Sequence, residues 1–245
     1  MNDIITATTN AHIRACRALH RSKGRKASNQ TLIEGPTVFA EFLGAGVLPT
    51  AVYCTPDDTV SIRACTERSI RFWLVSRDAL GAASDTITAQ SPVAIIDVPK
   101  ALPLRSTNTV VLVDIADPGN VGTIIRSAAA FGWDVAHTTN TADLWAPKTL
   151  RAAVGGHTRT RIVHLAEPLR DLARTGLASV SSVVTGGDPP RRGSDPVALL
   201  IGSEAHGLPR WARESATANF SIPMASGSES LNAAVAASIL MYTLS

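Results

Sequence analysis

DPGNVGTIIRSAAAFG, Asp117 to Gly132, decides how this chain is read. The β-branched run Val110 to Val113 stands just ahead of it and is typical of a strand buried on both faces. Asp117-Pro118-Gly119-Asn120 then reads as a turn that leads into a helix, with Asn120 as a favoured cap. Gly122 permits close approach of backbone or ligand to the first helical turn. Arg126 follows among Thr123, Ser127 and three alanines. It is either a surface charge or, because its neighbours are small, a guanidinium that reaches across a packed interface.

Two later stretches repeat the pattern of an apolar run that ends in polar or glycine residues. LLIGSEAHGLP runs from Leu199 to Pro209 and IPMASGSESLNAAVAAS from Ile222 to Ser238. Gly202 at a strand end allows an unusual backbone angle and close ligand approach. Glu204 can cap the next helix, orient another group or accept a proton, whereas His206 reads as structural. Ser230 is a plausible cap for a helix from Leu231 to about Thr243. Leu231, Val235, Ile239 and Tyr242 fall at helical spacing and are expected to pack inward. Asn232 is an unfavourable choice for a helix interior, which hints at a task for its side chain. In open α/β sheets ligands bind beyond the strand ends, so the three loops are expected to form one composite site.

Working outward, further strands are expected at Trp133 to His137, Arg161 to Val163, Val180 to Val184, Val197 to Ile201 and Ala218 to Ile222. Helices lie between them, and such alternation implies a mostly parallel sheet. The first hundred residues read as a smaller α/β unit. Its helices are expected at Ile13 to His20, Pro36 to Leu43, Thr59 to Arg68 and Asp78 to Ala83. Its strands are expected at Thr31 to Ile33, Ala51 to Cys54, Arg71 to Val75 and Val93 to Val98, and Arg21 to Gln30 reads as a loop. Pro99 to Asn108, with two prolines and no apolar period, reads as a linker. The expected organisation is residues 1–98, a linker at 99–108, and a second domain over 109–245.

Composition narrows the function classes. The chain has 245 residues, 45% hydrophobic and 18% charged, with a net charge of +3, as in ordinary folded proteins. Arg14, Arg17, Arg21, Lys23, Arg25 and Lys26 fall close together with no acid among them. Such a run is a solvated face or an arm that contacts phosphates. Cys16, Cys54 and Cys65 form no C-x-x-C pair, so a reducing cytoplasm is expected. His12, Cys16 and His20 share a helical face but lack a fourth ligand, so no metal is expected. No apolar run approaches the roughly 20 residues that cross a bilayer, and no membrane partner is expected. Glycine-rich dinucleotide loops, phosphate loops, nucleophile elbows and H-E-x-x-H are all missing.

In the order and spacing of these three stretches, from about Thr109 to Ser245, the chain resembles the SpoU/TrmH family of RNA ribose 2′-O-methyltransferases, of the SPOUT class. Ala146-Pro147-Lys148-Thr149-Leu150-Arg151-Ala152-Ala153 is similar to the family's stretch between the first and second motifs. Ile13, Leu19, the basic loop, Leu32-Ile33-Glu34-Gly35 and Val38 resemble the ribosomal-protein-like substrate-binding domain often fused ahead of it. The resemblance implies an α/β fold with a C-terminal trefoil knot, S-adenosylmethionine as cofactor and a homodimer. It implies a cofactor pocket at Gly202, Ser203, Glu204, Ile222, Met224, Ser230, Leu231 and Asn232. The catalytic group would be Asn120, Arg126, Glu204, Ser230 and Asn232. Arg14 to Lys26 would meet RNA phosphates, with Arg151 a further contact. The implied reaction is methylation of a ribose 2′-hydroxyl, most directly in 23S ribosomal RNA. A tRNA substrate and a non-catalytic RNA-binding or ribosome-assembly protein on the same fold are the alternatives.

Overall fold

A computed structural model describes residues 3–225 and 229–245. Ser226, Gly227 and Ser228, part of the third quoted stretch, lie outside the described residues. The chain divides into two compact units. One comprises the residues up to Pro99 together with Trp145–Gly155, and the other comprises Lys100–Leu144 and Gly156–Ser245.

The first unit is built on β1 (Gln30–Glu34), β2 (Ala51–Cys54), β3 (Phe72–Leu74) and β4 (Val93–Asp97), in the order β1-β4-β2-β3. β4 pairs antiparallel with both β1 and β2, and β2 pairs parallel with β3. Its helices are α1 (Ala11–Leu19), α2 (Ser22–Ser28), α3 (Pro36–Gly44), α4 (Thr59–Glu67) and α5 (Arg77–Ala83). Two apolar clusters pack against the sheet. Ile13, Cys16 and Leu19 of α1 join Tyr53 and Leu80 in one, and Phe39 and Phe42 of α3 join Ile33 and Ile96 in the other.

The stretch expected as a loop, Arg21 to Gln30, is largely the helix α2. Asn29 ends it in the left-handed region at φ 54°, with its N–H donating to the Arg25 carbonyl. Asparagine tolerates that conformation better than most residues. Helix propensity missed it because the stabilising contact is tertiary: buried Arg25 donates to the carbonyls of Leu19 (2.8 Å) and His20 (3.0 Å) at the end of α1.

The second unit carries β5 (Thr109–Leu112), α6 (Pro118–Phe131) and β6 (Asp134–Thr138). The chain then leaves for α7 (Pro147–Ala153), which belongs to the first unit. There Leu150 is fully buried beside Ile33 and Phe42, and Thr31 Oγ1 donates to the Trp145 carbonyl at 2.6 Å. Within the stretch expected as the second domain, 109–245, this excursion packs with the first unit. The chain returns through β7 (Ile162–Leu165), α8 (Pro168–Ala173), β8 (Ala178–Ser182), β9 (Val197–Ile201), α9 (Arg210–Ser215), β10 (Ala218–Phe220) and α10 (Ala233–Leu244). The strands form one six-stranded sheet in the order β10-β8-β9-β5-β6-β7, every pair parallel. Chain order therefore reverses between β5 and β9, a switch point at which open sheets bind ligands beyond their carboxyl ends.

The stretch expected as a linker, 99–108, is mostly exposed and is anchored to the second unit in its C-terminal half. Arg105 grips Asp134 through two hydrogen bonds of 2.7 and 2.9 Å, and Leu104 packs against the core of Val111, Ala136 and Leu200. No helix among the described residues is long and apolar enough to cross a membrane.

Candidate active site

Three strand ends and the turns that follow them build the site. After β5 the backbone kinks at Asp114 (φ 57°), held by Thr138, whose hydroxyl donates to its carboxylate at 2.7 Å. Helix α6 begins at Pro118, suited to a first helical position because its missing N–H would be unpaired there anyway. The cap is therefore Asp117, one residue before the proline, and not Asn120 as expected. Asp117 accepts the N–H of Asn120 at 2.9 Å. This leaves the Asn120 side chain free for other work.

β9 ends at Ile201, and Gly202 follows. A Cβ there would collide with the backbone of Gly207 and Leu208, so only glycine lets the loop return this closely. The return is closed by the Gly207 N–H donating to the Ser203 carbonyl at 2.8 Å, with Gly207 at φ 63°. The His206 N–H donates to Ser203 Oγ at 3.3 Å, and His206 is exposed.

Helix α10 starts at Ala233, and its cap is Asn232, not Ser230. Asn232 Oδ1 accepts from the N–H groups of Ala234 (2.9 Å) and Val235 (3.3 Å). Asn232 is thus outside the helix interior, which removes its propensity penalty. Its Nδ2 donates to Asn120 Oδ1 at 3.0 Å, and Asn120 Nδ2 donates to Glu204 Oε1. One chain of side-chain hydrogen bonds therefore ties the loops after β5, β9 and β10 together.

A cavity of about 280 Å3 lies against this chain. Gly202, Ser203 and Glu204 line it from the β9 loop. Ile222, Met224, Ser230, Leu231 and Asn232 line it from the segment before α10. Every residue expected to form the cofactor pocket is therefore gathered around one cavity. Sequence reasoning missed the remainder of the lining: Ser182 at the end of β8 with Val183 and Val184 after it, Ile201, Gly207, and Ala233 and Ala236 of α10. The signal for Ser182 to Val184 is topological, because β8 pairs directly with β9. The two alanines are small residues that leave room beside the helix.

Arg126 does not line the cavity of its own chain. It is exposed on α6 and, among the described residues, its guanidinium has no hydrogen-bond or ion-pair partner. Leu231, Val235, Ile239 and Tyr242, expected to face the core, are instead 38, 47, 38 and 71% exposed. The face of α10 that packs is the small one, Ala233, Ala234 and Ala237 with Leu240 and Met241. There Ser238 Oγ meets Ser127 Oγ of α6 at 2.7 Å, and ring contact joins Tyr242 to Phe131 at 5.7 Å.

In the first unit, Arg14, Arg17, Arg21, Lys23 and Lys26 are exposed, as a phosphate-contacting surface requires. Arg25 is corrected: it is 6% exposed and its guanidinium serves the end of α1. Arg151, expected to contact RNA, is ion-paired to Glu34 at 3.1 Å and Asp85 at 2.6 Å.

Comparison with known proteins bears on the whole chain. Residues 107–242 match the SpoU rRNA Methylase family, and residues 10–94 match the MRM3-like substrate binding domain. The 23S rRNA (guanosine(2553)-2′-O)-methyltransferase RlmP of Bacillus subtilis (strain 168) is 32% identical, over 98% of this chain and 98% of its own. An rRNA methyltransferase from Sinorhizobium meliloti, also solved bound to AdoMet, superposes with a TM-score of 0.87 at 26% identity, over 98% of this chain and 96% of that one. The SpoU methyltransferase AviRb from Streptomyces viridochromogenes, in complex with AdoMet, gives 0.82 at 25% identity, over 96% of each chain. A family match over more than half of the sequence, with a relative aligned nearly end to end, leaves one conclusion: the chain belongs to the SpoU rRNA Methylase family.

Proposed function

We propose that this protein is an RNA (ribose-2′-O)-methyltransferase that uses S-adenosylmethionine and acts on 23S ribosomal RNA in the cytoplasm. The observation that carries the reading is the cavity beyond the ends of β8 and β9, with Glu204 and Asn232 in its lining and Asn120 hydrogen-bonded to both. Its size, about 280 Å3, lies close to the lower end of the roughly 300–1,000 Å3 usual for small-ligand sites. Its chemistry fits the cofactor. Val183, Ile222 and Leu231 offer apolar surface for an adenine ring, and Glu204 is the single charged residue of the lining among the described residues. A carboxylate there suits a ligand whose net charge is positive. The residues that would hold it are Gly202, Ser203, Glu204, Ile222, Met224, Ser230, Leu231 and Asn232.

When bound, the cofactor supplies a methyl group on a positively charged sulfur, a good leaving group. The chain's part is to present the ribose oxygen and stabilise its charge. An arginine guanidinium keeps its protons at ordinary pH. Arg126 would therefore donate to the 2′-oxygen and stabilise the negative charge that builds there as the hydroxyl proton passes to an RNA phosphate or water, as an oxyanion donor does. Asn120 and Asn232 keep the three loops in register, so the pocket is organised before substrate arrives.

The exposed apolar residues of α10 support a homodimer. An apolar patch of this kind on a monomer marks an interaction surface, and a second copy seated on it would bring Arg126 of one protomer towards the cavity of the other. The trefoil knot implied by the resemblance belongs to the same proposal. The exposed cations from Arg14 to Lys26 would hold RNA phosphates, and the acceptor 2′-hydroxyl excludes DNA by chemistry.

Titration calorimetry with S-adenosylmethionine, and mapping of 2′-O-methyl groups in ribosomal and transfer RNA from cells with and without the protein, test this reading. Cofactor binding and one 23S site lost in the deletion strain are the expected results. A lost tRNA site would move the substrate, and an absence of cofactor binding would leave an RNA-binding protein on this fold.

A further inference from the structure

The first unit contains a polar cluster that methyl transfer does not use. His20 ends α1, Glu34 ends β1 and Asp85 follows α5. One nitrogen or oxygen of each lies within 4.8 Å of the others. Glu34 is 7% exposed, and its Oε1 is buried with no hydrogen-bond partner. Its other oxygen is well served: Oε2 accepts from Ser84 Oγ at 2.9 Å and from Arg151 at 3.1 Å. Arg151 also takes one oxygen of Asp85, Oδ1, at 2.6 Å, leaving Oδ2 towards His20.

The histidine completes the arrangement. His20 Nε2 lies 2.8 Å from the Ala83 carbonyl, which can only accept, so Nε2 carries the proton. In the neutral ring Nδ1 is then a bare lone pair, and it too is buried without a hydrogen-bond partner. A ring proton donated to a backbone carbonyl is the outer-shell contact usual for a metal-binding imidazole.

We infer that His20 Nδ1, Glu34 Oε1 and Asp85 Oδ2 form a binding site for a first-row divalent cation such as Zn2+. Arg151 and Ser84 orient the two carboxylates from behind. One nitrogen and two carboxylate oxygens favour Zn2+ over Mg2+ or Ca2+, which prefer oxygen alone. Bonds of about 2.0–2.2 Å place the ligands of one tetrahedral ion about 3.4 Å apart. The 3.9 Å between His20 and Asp85 closes with a small rotation of the half-exposed Asp85. Water supplies the fourth position. The two carboxylates and one guanidinium leave a net charge of −1 to receive the ion, which would staple α1, β1 and the end of α5. The sequence argued against a metal on α1 because it offered His20 only His12 and Cys16 as companions.

The test uses the full chain stripped with EDTA and titrated with ZnCl2, with CoCl2 as a spectroscopic probe. The expected result is one equivalent of Zn2+ bound, a rise in thermal midpoint, and a visible absorption band with Co2+. His20→Gln and Asp85→Asn should each weaken binding about tenfold or more, while His164→Gln on the second unit leaves it unchanged. Asp85 is exposed, so Asp85→Asn keeps the test valid should His20→Gln misfold. Failure of the stripped protein to take up Zn2+, or uptake undiminished in both cluster variants, overturns the site.

Discussion

Arg25 and Arg151 of the first unit and Arg126 of the second are used in opposite ways. In the first, Arg25 and Arg151 are drawn into the fold: one serves the carbonyls that end α1, and the other holds Glu34 and Asp85. In the second, Arg126 stands on α6 with its guanidinium directed to no partner among the described residues. A guanidinium offers five donors and no acceptor. Where the fold supplies the acceptors, the residue stabilises structure. Where it does not, the donors face water and are open to a ligand or a second chain.

The largest effect is expected at Arg126. Arg126→Ala should lower kcat by about 10²–10³-fold, the usual cost of removing one oxyanion donor, with cofactor affinity and thermal midpoint unchanged. Single-turnover methylation beside calorimetry and thermal melts checks this. Lost stability with intact turnover would break the contrast between the units.

Arg151→Ala should do the reverse and cost about 3 kcal/mol of stability at neutral pH, because it strands a buried carboxylate. Burial already holds the Glu34 carboxyl above its ordinary value of 4.5, against the opposing pull of Ser84 and Arg151. The folded state therefore binds this proton more tightly than the unfolded state, and the contribution of Glu34 falls as pH rises above 4.5. Removing Arg151 raises the carboxyl further. The penalty should be smallest at acid pH, where the carboxyl is protonated in both proteins, and should grow as pH rises above 4.5, in denaturant melts run with EDTA present.

Arg25→Ala removes two charge-assisted hydrogen bonds from the end of α1 and should cost about 1.5–3 kcal/mol. Its effect on RNA binding should not depend on salt. The exposed cations give the smallest change per residue. Replacing Arg17, Lys23 or Lys26 by Ala should each lower the slope of log affinity against log salt by about 0.7–0.9, with stability unmoved. A salt slope that follows Arg25 instead of these three would reverse their roles.

Much of the site was legible in local pattern. Gly202 after an apolar run, the Asn and Ser residues before α10 and the glycine-rich opening of α6 all mark backbone turns at strand ends, and such turns announce themselves within a few residues. The caps were misplaced by two or three positions. Asn120 reads as a favoured cap and Asn232 as a residue with a side-chain task, but short-range rules cannot tell a cap from a cross-link 112 residues away. The apolar spacing of Leu231, Val235, Ile239 and Tyr242 was read correctly as a helical stripe and wrongly as a buried one. Period reports which residues share a face and leaves open whether the partner of that face is in the same chain.

The sequence by itself determined the α/β alternation, the three loops and the chemistry they carry, because strand, turn and cap preferences act over neighbours. Only the tertiary structure decided that α7 belongs to the first unit, that Arg25 and Arg151 are spoken for while Arg126 is not, and that His20, Glu34 and Asp85 meet. Those outcomes depend on which distant acceptors a side chain finds once the backbone has closed, and no local rule contains that information.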